Sequence, residues 1–135
     1  MQIEVLNRQR KHQLPVKEVL TFAQRLAPLV ANIARGEVPE DILVILVSDR
    51  KISAIHRQFM GIAGATDVIT FQHGEIVVSV ETAAKQAIEF ETDLLHELRL
   101  YIAHGLLHLA GYDDHSEDGF REMSKVQNEL VAKVT

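Results

Sequence analysis

Apolar and polar positions change their spacing several times along the chain, and each change marks a secondary-structure element. Gln2–Leu6 can form a short strand, and the polar, basic stretch Asn7–Gln13 follows it. From Val16 to about Ala34, residues Val19, Leu20, Phe22, Ala23, Leu26, Leu29, Val30 and Ile33 recur at helical spacing, with Pro15 suited to the first turn. Pro28 lies inside that pattern and is expected to kink it or force a local adjustment, and Gly36 to end it. Ile42–Val47 is an unbroken run of Ile, Leu and Val, as in a strand buried on both faces. Ser48 or Asp49 then caps a short helix over Arg50–Phe59, bearing Ile52, Ile55 and Phe59. Val68–Phe71 and Glu75–Val80 read as strands joined by a turn at Gln72–Gly74, in antiparallel pairing.

Thr82–Glu89 continues as a helix. After the polar break Glu91–Asp93 the spacing predicts a densely apolar helix over Leu94–Leu109, the central buried helix of the fold. Gly111 stops it. Ser116 starts a last helix whose inner face carries Phe120, Met123, Val126, Leu130 and Val134. There is no internal repeat, linker or low-complexity tract. The expectation is one α/β (α+β) domain over residues 1–135, with about four strands in a mixed sheet packed with helices.

Composition narrows the chemistry. The 135 residues suit one domain with a real core, and 47% apolar with 24% charged residues is a soluble globular balance. The absence of cysteine excludes disulfides and thiolate chemistry, so any metal must sit on His, Asp or Glu. The N-terminus has no basic-then-apolar signal pattern, and no apolar run approaches the ~20 residues of a membrane span. The chain is therefore expected to be cytoplasmic, with no membrane partner. The net charge of −5 is unevenly placed: residues 1–60 hold nine Lys/Arg against six Asp/Glu, and residues 61–135 hold five against thirteen. Arg8, Arg10, Lys11, Arg50, Lys51 and Arg57 are either an ordinary solvated surface or a local basic wall facing a substrate.

His104 and His108 stand four apart on the apolar helix, so both imidazoles project from one face, about 5–6 Å apart at Cβ. That spacing lets two nitrogens grip one ion, each at about 2.0–2.1 Å from zinc. Leaving two imidazoles unpartnered among apolar residues would be costly. After Gly111, Tyr112-Asp113-Asp114-His115 returns the chain past the same face and can supply a third ligand, leaving an open, catalytic position. The zinc motif of helical peptidases places Glu directly after the first His as general base, and this chain has Gly105 there. Asp113 is a possible proton acceptor, or else a residue that holds the turn or orients a ligand histidine.

The run His104-Gly105-Leu106-Leu107-His108-Leu109-Ala110-Gly111-Tyr112-Asp113 closely resembles the signature of the YbeY family of bacterial endoribonucleases. Arg57, Gly61, Thr66-Asp67-Val68-Ile69-Thr70-Phe71 and Gly74-Glu75-Ile76-Val77-Val78-Ser79 resemble that family's upstream segments, in order. The resemblance covers about residues 40–125; the first 40 match only in pattern. It implies a zinc-dependent, single-strand-preferring ribonuclease working in ribosomal RNA maturation and ribosome quality control. The partners it implies are ribosomal RNA and the ribosome or ribosomal proteins.

One departure affects the site. The family reads Gly-Tyr-Asp-His, with its third zinc histidine six residues after the second, whereas position 114 here is Asp and histidine follows at His115. Asp114 keeps the register, and zinc accepts a carboxylate; His115 offers the preferred imidazole if the loop carries one extra residue. Both remain candidates. By its match to the family's arginine, Arg57 is the expected phosphate contact, a fixed cation against charge building on the transferring oxygens. Thr66 and Asp67 are expected to shape the strand entry, His73 to be a solvated turn residue, and His12, His56 and His96 to lie on surfaces or helix faces. Glu97 is expected at an exposed helix position or paired with a base such as Arg121. Two rival functions stay open: a ribosome-associated assembly factor with structural zinc, and a hydrolase of a peptide or amide bond.

Overall fold

The computed structural model describes residues 1–135. Its elements are β1 (Gln2–Asn7), α1 (Val16–Asn32), β2 (Asp41–Val47), α2 (Asp49–Met60), β3 (Val68–Phe71), β4 (Glu75–Ser79), α3 (Val80–Glu89), α4 (Leu94–Leu109) and α5 (Glu117–Val134). One mixed sheet runs in the order β1-β2-β4-β3, with β1–β2 and β2–β4 parallel and β3–β4 antiparallel. The two parallel pairs need crossovers, which α1 and α2 provide, and a short turn suffices for the β3–β4 hairpin. β2 and β4 occupy the middle of the sheet, as their unbroken apolar runs require. No helix is long and apolar enough to cross a membrane.

The two faces of the sheet are covered differently. Ile42, Val44 and Leu46 of β2 and Ile76 and Val78 of β4 enter the main core with α1, α3, α4 and α5. On the opposite face Val47, Ile69 and Val77 meet Ile52 of α2 in a cluster of four buried residues, with Ile45, Ile55 and Phe71 partly buried beside it. α4 is apolar around most of its circumference and lies at the centre of the main core, where Leu98, Ile102, Ala103, Leu106 and Leu107 are fully buried. Its approach to the sheet depends on Gly105, because a Cβ there would lie 2.7 Å from Ile76 Cγ2.

Serine and aspartate caps set the helix starts: Ser48 accepts from Lys51 N–H, Ser79 from Thr82 N–H, Asp93 from His96 N–H and Ser116 from Gly119 N–H. α1 passes through Pro28 and ends at Asn32, before Gly36. Pro28 lies inside α1 with no N–H to donate to the carbonyl four residues back, and buried Ala27 and Val30 hold the helix against the core there. Two expectations are corrected. Glu97 is 4% exposed, and its carboxylate accepts from Thr92 Oγ1 at 2.7 Å, while Arg121 pairs with Glu117. A local hydroxyl donor therefore makes burial tolerable. Phe120 is 56% exposed, and the inner face of α5 begins nearly a turn later, at Met123.

Candidate metal centre

The centre is built where α4 stops. Gly111 adopts φ +95°, a left-handed turn that an L side chain rarely takes, and the chain reverses there. Tyr112 pins the reversal: it is buried, its N–H donates to Leu107 O at 3.0 Å, and its hydroxyl donates to Ile33 O at 3.3 Å. The Arg35 guanidinium caps its ring from 4.0 Å. Asp113 Oδ1 accepts from His115 N–H at 2.8 Å, fixing the next step of the turn. Asp114 is thereby returned over the last two turns of α4.

There it meets both imidazoles. The Nε2 atoms of His104 and His108 are 3.1 Å apart, and Asp114 places Oδ2 3.4 Å from the first and Oδ1 3.6 Å from the second. Four donors held tetrahedrally about 2.0–2.1 Å from an ion are separated by about 3.3–3.4 Å. The observed triangle brackets that spacing, so these three side chains form a group that could hold a metal ion.

Protonation is consistent with this. His104 Nδ1 lies 3.0 Å from Gln127 Oε1, an acceptor, so Nδ1 carries the hydrogen and Nε2 is the nitrogen turned toward His108 and Asp114. Burial pushes the His108 imidazolium pKa below its ordinary value, and the neighbouring His104 adds to this. Asp114, the Tyr112 backbone and Asp113 oppose the shift without reversing it. Two imidazole nitrogens 3.1 Å apart need a proton or a cation between them.

The group opens into a cleft of 390 Å³ walled by β3 and by His56 and Met60 of α2. His115 reaches the mouth of this cleft, but its side chain is 88% exposed and its Nε2 lies 3.6 Å from Asp113 Oδ1. Its donors group with Asp113 and Asp114, whereas His104 and His108 group with Asp114. Arg57 is exposed and is not part of the cleft wall. At about 100° per residue on α2, it projects about 100° around the helix from His56, which does line the cleft. Asp67 shapes the start of β3, accepting from Val68 N–H at 2.7 Å, and it also lines the cleft with Thr66. His73 pairs with Glu75 at 2.6 Å, away from the metal group.

Two participants escaped the sequence reading. Gln127 is a polar residue on α5 with no local pattern linking it to His104 across 23 positions. His56 lines the cleft because α2 lies beside β3, and its Nδ1 is 3.0 Å from Gly64 O. The space at Gly105 also bears on the peptidase alternative. That position faces Ile76 in the core, so a glutamate there would have no room and would not face the metal group.

An α+β sheet carrying a His–His–carboxylate group at the base of an open cleft has the form of a metallohydrolase. The family model for endoribonuclease YbeY matches residues 4–135, extending the resemblance seen in the sequence through the first strand and helix. The chain is 31% identical to endoribonuclease YbeY of Petrotoga mobilis over 137 residues, covering 96% of this chain and 92% of the relative. It is also 31% identical to that of Thermus thermophilus, over 96% and 99% of the two chains. With the Anaeromyxobacter protein of the same name identity is 37% over 108 residues, 73% of this chain and 56% of the relative. The solution structure of TM1509 from Thermotoga maritima superposes with a TM-score of 0.68 at 30% identity, covering 98% of this chain and 88% of that one. The chain belongs to the YbeY endoribonuclease family, whose members are nucleases acting on phosphodiester bonds.

Proposed function

We propose that this protein is a zinc-dependent endoribonuclease that cuts single-stranded segments of ribosomal RNA during rRNA maturation and ribosome quality control, working in the cytoplasm. The observation that supports it best is the triangle of donor atoms at 3.1, 3.4 and 3.6 Å on His104, His108 and Asp114. In this reading those three residues hold the ion, and Asp114 stands where the family pattern has histidine. The all-nitrogen-and-oxygen donor set suits zinc. When bound, the ion supplies a water activated near neutral pH and a positive charge toward the phosphate.

The remaining work falls to the chain's own groups. Gln127 holds the His104 ring with Nε2 facing inward. Arg57, exposed on α2 outside the cleft wall, is assigned to a phosphate of the incoming strand, which its paired guanidinium donors would meet. His56 donates from Nδ1 to the Gly64 carbonyl, and its second ring nitrogen is left to accept a proton in the cleft. The ribosome or its proteins would guide the enzyme to its target, and the acidic second half of the chain is the surface offered for that contact.

The test is cleavage of unstructured RNA by wild type, His108→Ala and Arg57→Ala purified in parallel. Loss of cleavage in both variants, with zinc lost only from His108→Ala, is the expected result. Equal cleavage by wild type and His108→Ala would assign the activity to something other than this site.

A further inference from the structure

The sheet face opposite α4 is only partly covered. Ile52 seals one end of it, and beyond Ile52 lies an open groove of 540 Å³. Its floor is Ile45, Val47 and Val77, and Ile55 and Phe59 of α2 form one wall. Phe59 is 61% exposed, and its ring sits edge-on to Phe71 with centroids 5.3 Å apart. The His73 ring follows Phe71 at 5.9 Å, tilted by 32°. Three rings thus run in a row from α2 across β3 to the hairpin turn.

The groove carries two free cations and one engaged carboxylate. Glu75, its single carboxylate, is held by His73 at 2.6 Å. Arg8 and Lys51 line the same groove, and neither has a carboxylate partner. An apolar groove that seated a protein helix would need neither accessible aromatic faces nor unpaired cations. Accessible rings beside unpaired cations suit a single-stranded nucleic acid, whose bases stack on the rings while its phosphates meet the cations.

The groove and the cleft lie on either side of the edge strand β3 and share two elements, with no lining residue in common. α2 gives His56 and Met60 to the cleft and Lys51, Ile55 and Phe59 to the groove. β3 likewise gives Thr70 to the one and Phe71 to the other. β3 is the edge strand, so a chain lying in the cleft can pass over it without crossing another strand.

We propose that this groove is a second contact for the RNA strand cut in the cleft, with nucleotides flanking the cut stacked on Phe59 and Phe71 and their phosphates against Lys51 and Arg8. The inference rests on the proposed ribonuclease activity and deepens it.

The test uses a short fluorescein-labelled, unstructured oligoribonucleotide and the His108→Ala protein, in which no strand is cut. Adding Phe59→Ala is expected to weaken binding roughly tenfold, the size of one lost base–aromatic stack. Phe59→Trp should restore binding and Phe59→Leu should not. Lys51→Ala is expected to flatten the slope of log affinity against log salt by about 0.7, one phosphate contact on a single strand. In otherwise wild-type protein, Phe59→Ala should raise KM for cleavage more than it lowers kcat, with the thermal transition unchanged. Unaltered affinity in Phe59→Ala would overturn the inference. So would rescue by Leu as complete as by Trp, which would make the groove a seat for an apolar protein segment. If wild type still cuts RNA in a His108-dependent way, either result removes the groove and leaves the activity standing. If wild type neither binds nor cuts RNA, both readings fall together.

Discussion

α4 and α2 line the same cleft from opposite sides and are built on opposite plans. α4 is buried along most of its length, and its two imidazoles rise from a helix packed against β4 at van der Waals distance through Gly105. α2 has one buried residue, Ile52, and shows solvent most of its surface, including Arg57, Phe59 and Met60. On the proposed function, the difference separates two tasks. Groups that must hold one ion within a few tenths of an ångström need ring positions fixed by packing and by outer hydrogen bonds such as that from His104 to Gln127. Groups that meet a flexible strand need reach and exposure, which a surface helix provides.

The sharpest way to break the comparison is to remove a ligand from the rigid side. His108→Ala is expected to reduce zinc to background and cleavage by more than about 100-fold, beyond the usual loss for an outer-shell partner. Gln127→Ala removes only the support of His104. It should weaken zinc affinity by about 10–100-fold, measured by chelator competition, with the fold intact. Gly105→Ala tests the packing beneath the site. The new methyl meets Ile76, and denaturant unfolding should show a loss of about 1–3 kcal/mol. An alanine on the exposed side of α2, Gln58→Ala, should stay within about 0.5 kcal/mol.

A further effect concerns how α2 is tied down. Burial pushes the Asp49 carboxyl up, but hydrogen bonds from Lys85, Ser79 and Thr82 outweigh this and hold its pKa at about 2, below its ordinary 3.8. A carboxylate depressed in this way stabilises the fold fully above about pH 4, and that stabilisation is lost as pH falls through about 2. The stability gap between wild type and Asp49→Asn should therefore close over that window. Because Lys85 is 72% exposed, Lys85→Ala alone should cost less than about 1 kcal/mol.

How much of this could be read from the sequence follows the same division. The bounds Leu94–Leu109 came directly from apolar density, and the antiparallel hairpin from the turn at Gln72–Gly74. Local chemistry sufficed in both cases. Glu97 was misread because a charged residue on a helix is usually solvated, and only the fold brings the Thr92 hydroxyl to it. Phe120 fits the helical period of α5, but the period cannot say where the core ends. In the site, the i, i+4 spacing put two imidazoles on one face. Which of Asp114 and His115 turns toward them depends on the backbone after Gly111, which the spacing does not specify. The position of Arg57 was equally hidden, since the flank of α2 that meets β3 is set by long-range packing. Gln127 lies 23 residues from the ring it orients and had no local signal.

The most direct measurement is zinc content in wild type, Asp114→Ala and His115→Ala, determined on folded protein with RNA cleavage followed in the same samples. Loss of zinc and cleavage in Asp114→Ala, with both retained in His115→Ala, is the expected result. The reverse pattern, or full zinc and cleavage in both variants, would contradict a centre built on His104, His108 and Asp114.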